Sequence, residues 1–155
     1  MPKLDLECIP QTNATGYPSP FDEAVAGRWY RRLAPVAGLE RMGASHVVLQ
    51  PGAYSSQRHW HSEQDELVVM LAGEAVLIEE DGETRVKAGD ILAFPAGLAN
   101  GHHLHNCSDN PCTFIAIAAG DRNADRGEYS DIDMVFDDRG YASKDGTRYD
   151  AERLA

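Results

Sequence analysis

The chain has 155 residues, of which 43% are hydrophobic and 25% charged, a length and composition typical of one globular domain. Its formal net charge of −11 makes nucleic acid an unfavourable partner, because the phosphate backbone would be repelled. The sequence contains no run of roughly 18 apolar residues, the length that a membrane-spanning helix needs. Its first residues lack the apolar stretch of a signal peptide, so we expect a cytoplasmic protein.

Residues 1–44 are predicted to form an N-terminal arm with added strands. Pro10, Pro18 and Pro20 interrupt its first part, and this spacing excludes a long helix there. From Arg28 onward the sequence changes to short runs of branched and aromatic residues. Turn residues separate these runs at intervals of roughly ten, a pattern typical of an all-β sandwich or barrel.

Nine segments have the composition of β-strands, which is enough to close a barrel. They are residues 29–33, 45–50, 57–61, 66–71, 74–79, 84–87, 90–94, 102–106 and 112–119. Glu80 to Glu83 predicts a hairpin turn, because Gly82 can adopt a positive φ angle between two alternating segments. We expect the barrel core to occupy residues 45–120.

The strand at 66–71 is apolar on both faces, since Val68 and Met70 alternate with Leu67, Val69 and Leu71. One face can line the barrel, and the other needs a cover. A second sheet layer or a partner subunit would provide it, which favours a homodimer. Residues 121–155 are more polar but contain aromatic side chains, so we predict a C-terminal tail that packs on the barrel.

The candidate metal ligands lie on two of these strands. His59 and His61 are two residues apart, so their imidazoles project from the same face and can bind one ion. Glu66 begins the next strand, and a short polar turn returns its carboxylate toward the histidines. Asp65 is the rival carboxylate, but Glu66 is in phase with the apolar face of its strand. Gln57 shares the face of the histidines and is a candidate contact either to a metal ligand or to the substrate.

A fourth ligand is expected from the strand at 102–106, where the alternation of side chains allows two registers. In one register His102, Leu104 and Asn106 point inward, and in the other His103 and His105 do so. We favour His102, because this register also buries Leu104, and keep His103 as the alternative. His59, His61, Glu66 and His102 would then hold one divalent ion of iron, manganese, nickel, copper or zinc, with open positions for substrate or water.

The spacing of these residues resembles the two motifs of the cupins. The first motif is Gly52, six residues, His59, one residue, His61, four residues, Glu66, six residues and Gly73. The second is Gly89, five residues, Pro95, one residue, Gly97, four residues, His102, three residues and Asn106. The loops before His59 and His102 are one and two residues longer than the usual pattern. The resemblance implies an antiparallel jelly-roll barrel, the double-stranded β-helix, with one metal ion bound inside.

The expected function is that of a metal-dependent enzyme for a small organic molecule. The positions expected to line the cavity are mostly apolar: Ser55, Gln57, Val68, Met70, Val76, Ile78 and Leu104. Because no lysine or arginine is expected inside, we favour dioxygenase-like oxidation of a weakly polar substrate over isomerisation of a phosphorylated sugar. A sugar isomerase and a non-catalytic sensor of a small ligand or metal remain alternatives, since cupins include all of these classes.

Overall fold

The computed structural model describes residues 3–149 as an antiparallel all-β fold with one short α-helix. Its strands are β1 (Arg28–Arg32), β2 (Gly43–Leu49), β3 (His59–His61), β4 (Gln64–Ala72), β5 (Glu74–Glu79), β6 (Gly82–Lys87), β7 (Ile91–Phe94), β8 (His103–His105), β9 (Cys112–Gly120), β10 (Gly127–Tyr129), β11 (Val135–Asp137) and β12 (Gly140–Ala142). The helix α1 spans Leu33–Ala37, and 3₁₀ turns occupy Leu6–Cys8 and Glu23–Val25.

The barrel has two faces. One is a five-stranded sheet in the order β1-β2-β9-β4-β7. The other consists of a three-stranded sheet, β6-β5-β8, and a four-stranded sheet, β12-β11-β10-β3. The backbones of His59 and His102 join these two smaller sheets, because each residue donates its N–H to the carbonyl oxygen of the other, at 3.3 and 2.9 Å. The all-β jelly-roll barrel predicted from the sequence is confirmed.

The hairpin predicted at residues 80–83 is also confirmed, since Glu79 pairs with Gly82 and Gly82 has a φ angle of 131°. The segment after β1 differs from the prediction. Leu33 begins a helical turn instead of ending a strand, and Pro35 has a φ angle that suits a helix. Gly38 ends that turn with a φ angle of 67°, which a side chain would disfavour.

The C-terminal segment adds three strands that the sequence pattern did not predict. Strand β10 pairs with β3, so that Gly127 lies opposite His61 and Tyr129 lies opposite His59. These strands are only three residues long, which is too short for a clear alternation of apolar and polar side chains. The segment therefore brings its own side chains to the strand that carries two candidate ligands.

The hydrophobic core fills one end of the barrel. Its buried members are Val47, Leu49, Met70, Ala75, Leu77, Val86, Leu104, Cys112 and Phe114. In the five-stranded sheet Met70, Phe114 and Val47 form one cross-strand row on the inner face. Large side chains in this row close the barrel at that end.

The side chains on the inner face of the same sheet become smaller toward the other end of the barrel. Two rows further along, Glu66 pairs with Ala118, and Ala118 pairs with Gly43. Because the side chains in that region are small, they leave open the space that large side chains fill in the core. The register of the sheet thus places Glu66 beside a cavity. No helix among residues 3–149 is long and apolar enough to cross a membrane.

Candidate metal centre

Three of the predicted ligands converge on one point inside the barrel. The Nε2 atoms of His59 and His61 are 3.1 Å apart, and Nε2 of His61 is 3.8 Å from Oε1 of Glu66. One ligand atom from each of the three residues lies within 4.8 Å of the others. This cluster is able to hold a metal ion.

Local strand geometry explains the convergence. His59 and His61 alternate with Trp60 along β3, so both imidazoles project to the inner side. Strand β4 begins at Gln64, which leaves only Ser62 and Glu63 as the connection. This turn brings Glu66, on the inner face of β4, back to the histidines.

The outer nitrogen of each imidazole in the cluster is already engaged. Nδ1 of His59 lies 2.8 Å from the carbonyl oxygen of Gln57, and Nδ1 of His61 lies 2.6 Å from Oδ2 of Asp125. Because both neighbours are hydrogen-bond acceptors, both Nδ1 atoms carry the proton, and each Nε2 presents a lone pair. Two lone pairs that face each other at 3.1 Å cannot form a hydrogen bond. A shared cation would satisfy both, so the donor set fits a metal.

The protonation states suit the same role. Burial lowers the pKa of His59 to about 4, so its imidazole is neutral at pH 7. Burial alone would raise the pKa of Glu66, but its hydrogen bond with His102 and the nearby imidazoles outweigh this effect and lower the pKa to about 2. His59 therefore offers a neutral nitrogen and Glu66 a carboxylate charge, the forms that bind divalent ions.

His102 lies at the edge of this cluster. Its Nε2 is 2.8 Å from Oε2 of Glu66, its Nδ1 is 3.1 Å from the carbonyl oxygen of Asn100, and its ring stacks on Phe94 at 3.6 Å. The side chain is only 7% exposed, and Leu104 and Asn106 are buried with it. The register that we favoured on the sequence is the one in the structure, while metal binding by His102 stays a prediction.

The rival residues lie elsewhere. Nδ1 of His103 is 3.0 Å from the carbonyl oxygen of Ser56, and its ring lies beside Tyr54. Asp65 accepts a hydrogen bond of 2.8 Å from the backbone N–H of Ala96 and is exposed. The side chain of Gln57 does not line the cavity as predicted, because it donates to the carbonyl oxygen of Phe21, while the backbone carbonyl of Gln57 contacts the His59 imidazole.

Asp125 is a site residue that the sequence analysis missed. It is 5% exposed and lies in the loop before β10. Its Oδ1 accepts the backbone N–H of Glu63 at 3.0 Å, while Oδ2 accepts Nδ1–H of His61. The carboxylate thus fixes both the turn and the imidazole. An acidic residue in a polar tail, 64 positions from its partner, carried no local signal.

We expect Asp125→Asn to weaken metal binding roughly 10- to 100-fold, the usual effect of losing such a partner. The asparagine can still accept from Glu63, but its NH₂ group would then face Nδ1–H of His61 and favour the wrong tautomer. Competition with a chromophoric chelator measures the dissociation constant. Asp109→Asn, in an exposed turn, is the control and should leave it unchanged. Equal affinity of the two variants would contradict the assigned role of Asp125.

The cluster opens into a cavity of about 1040 Å³. Ser55, Val68 and Leu104 line it as expected. Val76 and Ile78 do not, because the register of β5 turns Leu77 inward to pair with Leu104. Met70 does not either, because it is part of the hydrophobic core. The cavity wall is also more polar than predicted, because it includes arginine and tyrosine side chains.

The first polar feature is Arg28. The sequence pattern predicts a strand that begins at Trp29, whereas β1 begins one residue earlier, at Arg28. Arg28, Tyr30 and Arg32 alternate on the inner face of β1, since Tyr30 pairs with the core residue Val47. Arg28 and Arg32 both line the cavity. The expectation of a cavity without arginine was therefore wrong, because β1 is a sheet edge whose inward phase the sequence did not establish.

The second polar feature is a group of three tyrosines, Tyr17, Tyr129 and Tyr141. Tyr129 has its ring centroid 5.5 Å from that of Tyr17 and 6.1 Å from that of Tyr141. Its ring stacks on His59 with the centroids 5.5 Å apart, so the group adjoins the ligand cluster. Burial raises the pKa of each phenol, and all three are protonated at neutral pH. They are hydrogen-bond donors in the cavity wall.

Comparisons with known proteins agree with this architecture. The family model of the cupin domain matches residues 45–118. The oxalate decarboxylase OxdC of Bacillus subtilis is 33% identical over 84 residues, which are 51% of this chain but only 21% of the decarboxylase. A crystal structure named as a sugar phosphate isomerase from a cupin superfamily, from Silicibacter pomeroyi, is 40% identical and has a TM-score of 0.89. That match covers 99% of this chain and 100% of the other.

A more distant structure shows how widely the fold is shared. The polyketide cyclase RemF of Streptomyces resistomycificus is 16% identical, with a TM-score of 0.62, and the match covers 77% of this chain and 79% of the cyclase. At this identity the similarity concerns the fold alone. The fold is thus common to proteins named for different reactions.

Proposed function

The chain belongs to the cupin superfamily, and from that premise we propose that it is a metal-dependent isomerase of small phosphorylated sugars. The observation that carries the proposal is the position of the His59, His61 and Glu66 cluster at one wall of a cavity that also holds Arg28 and three tyrosine hydroxyls. The similarity over the full chain to a structure named as a sugar phosphate isomerase supports it.

Aldose–ketose isomerisation requires only a bound ion and polar contacts to the sugar, both of which this site can provide. Converting an aldose into a ketose moves one proton from C2 to C1 and a second proton from the C2 hydroxyl to the C1 oxygen through an enediol, with no net oxidation and no second substrate. A bound ion would polarise the carbonyl oxygen and an adjacent hydroxyl of the sugar. No coenzyme or redox partner is required, so a single cavity of this size can contain the whole reaction.

The protein's own residues would bind and orient the sugar. Tyr129 and its two tyrosine neighbours are protonated and can donate to sugar hydroxyls near the ligand cluster. Phe94 and Phe136 flank the histidines, at 3.6 Å from the His102 ring and 5.0 Å from the His61 ring. These apolar rings restrict water around the reacting carbons, which strengthens the polar contacts there.

The test is proton exchange at the reacting carbons. The protein would be loaded separately with Fe²⁺, Mn²⁺, Ni²⁺ and Zn²⁺ and incubated in D₂O with pentose and hexose phosphates. We expect deuterium at C1 or C2 and ketose formation by ¹H NMR with at least one ion. His61→Ala should abolish the exchange, while His105→Ala should retain it, because the ring of His105 stacks on Tyr54 away from the ligand cluster.

The same preparations test the rival functions. Oxygen uptake with a catechol or diketone panel and the iron-loaded protein would support the dioxygenase-like chemistry predicted from the sequence instead. Saturable binding of a sugar phosphate with no exchange for any ion would support a sensor. We rank these functions lower because the polar cavity wall suits a hydroxylated substrate better than an apolar one.

We further propose that the enzyme acts as a cytoplasmic homodimer. The outer face of the five-stranded sheet supports this, because Leu71 is 48% exposed and Ile91 is 64% exposed there. Val69 and Ile115 pair beside them on the same face. Light scattering of the purified protein should give twice the 17.0 kDa mass of the chain.

A further inference from the structure

We propose that Arg28, together with the hydroxyls of Tyr17 and Tyr141, forms a phosphate-binding subsite at the end of the cavity away from the metal centre. This inference rests on the proposed function for the identity of the natural substrate. The binding of the phosphate group itself is a separate property, which the experiment below measures without turnover.

The charge of Arg28 has no counterpart in the described part of the chain. Only one of its hydrogen-bond donors is used, since Nη1 donates to the carbonyl oxygen of Ser55 at 3.0 Å. Its Nε is buried and has no acceptor among residues 3–149. No carboxylate in that range lies within 4.0 Å of its guanidinium group. An enclosed cation without an anionic partner is unfavourable unless a ligand supplies one.

The other charged groups of the cavity do not serve this purpose. Glu66 is engaged with His102 in the ligand cluster. Asp137 faces the cavity but is held by Arg148 and Arg139. Arg32, four residues along from Arg28, also lines the cavity but is exposed, as are Arg41 and Arg122. Arg28 is thus the half-buried cation of this cavity wall that remains available to an anion.

The tyrosine hydroxyls give the subsite its shape. Arg28, Tyr17 and Tyr141 line the same cavity, and the ring centroids of the two tyrosines are 5.5 Å apart. The guanidinium of Arg28 donates to the carbonyl oxygen of Ser55, two residues before Gln57. Oη of Tyr17 also accepts the backbone N–H of Gln57 at 3.3 Å and keeps its own proton free. A phosphate monoester has three terminal oxygens, and one guanidinium with two phenols offers a donor for each. A carboxylate would leave one of these donors unused.

The position of the subsite fits a substrate that spans the cavity. The ring of Tyr129 contacts His59 on one side and those of Tyr17 and Tyr141 on the other, with centroid distances of 5.5, 5.5 and 6.1 Å. Arg28 pairs with Leu49 of β2, six residues along that strand from Gly43, whose cross-strand row contains Glu66. A sugar phosphate could therefore place its carbonyl end at the histidines and its phosphate at Arg28.

Calorimetry on the full chain tests the subsite with four probes: inorganic phosphate, ribose 5-phosphate, ribose and oxalate. We expect ribose 5-phosphate to bind roughly 10- to 100-fold more tightly than ribose, the worth of a charge-assisted hydrogen bond. Arg28→Gln should remove this difference and weaken binding of inorganic phosphate by a similar factor. Arg28→Lys should restore part of it, and Arg32→Gln is the control that should retain it.

Tyr141→Phe provides a second measurement that does not depend on the folding of the Arg28 variants. It removes one oxygen, and we expect phosphate binding to weaken roughly threefold to tenfold. Equal phosphate affinity in the native protein, Arg28→Gln and Tyr141→Phe would overturn the subsite, as would tighter binding of oxalate at Arg28 than of phosphate. Phosphate binding that depends on Arg28 without any isomerase activity would retain the subsite and reject the proposed function.

Discussion

Replacing His61 with alanine should abolish stoichiometric metal binding. His61 contributes a nitrogen whose lone pair is fixed toward the cluster by Asp125, and it lies between His59 and Glu66. Its loss removes one of the three ligand atoms that lie within 4.8 Å of one another. We expect a loss of affinity larger than the roughly 10- to 100-fold effect of removing an outer partner. Elemental analysis should show that the metal content falls from one ion per chain in the native protein to nearly none in His61→Ala.

Thermal unfolding gives an independent measurement of the same effect. An ion present at 100 times its dissociation constant stabilises the folded state by about 2.7 kcal/mol. Adding metal should therefore raise the melting temperature of the native protein and leave that of His61→Ala unchanged. His105→Ala is the matched control, because the ring of His105 stacks on Tyr54 and lies outside the ligand cluster, so its response to metal should match that of the native protein. A full complement of metal in His61→Ala would reject the assigned site.

The sequence was sufficient for the features that depend on local periodicity. Alternation along β3 placed His59 and His61 on one face, and the phase of β4 chose Glu66 over Asp65. The same argument predicted that Leu104 and Asn106 would be buried in the register that includes His102. In each case a strand with one buried face leaves few alternatives, because a slip by one residue would expose its apolar side chains.

Features that depend on long-range pairing were not accessible in this way. Strand β10 carries Tyr129 to His59, and the loop before it carries Asp125 to His61, across more than sixty residues of sequence. The polar tail gave no strong periodicity from which to predict either contact. Arg28 was missed for a related reason, since only the pairing of β1 with β2 shows which residues of that edge strand face inward.

The contact of His102 with Glu66 poses the remaining question about the ligands. His102 lies outside the three-residue group whose ligand atoms all approach within 4.8 Å, yet its Nε2 is directed at Glu66. A histidine at this position can bind the ion itself or act only through the carboxylate. The two roles predict different losses of metal affinity in His102→Ala. Loss of a ligand should weaken binding more than the roughly 10- to 100-fold effect of removing an outer partner.

We predict that His102→Ala abolishes metal binding and that His103→Ala retains it, since His103 is held by the Ser56 carbonyl on the other face of the strand. Copper-loaded protein separates the two roles of His102 directly. Its electron paramagnetic resonance spectrum should show hyperfine coupling to three imidazole nitrogens in the native protein and in His103→Ala. A native spectrum with only two coupled nitrogens would assign His102 to the support of Glu66. Loss of metal in His103→Ala, with retention in His102→Ala, would instead reverse the choice between these two histidines.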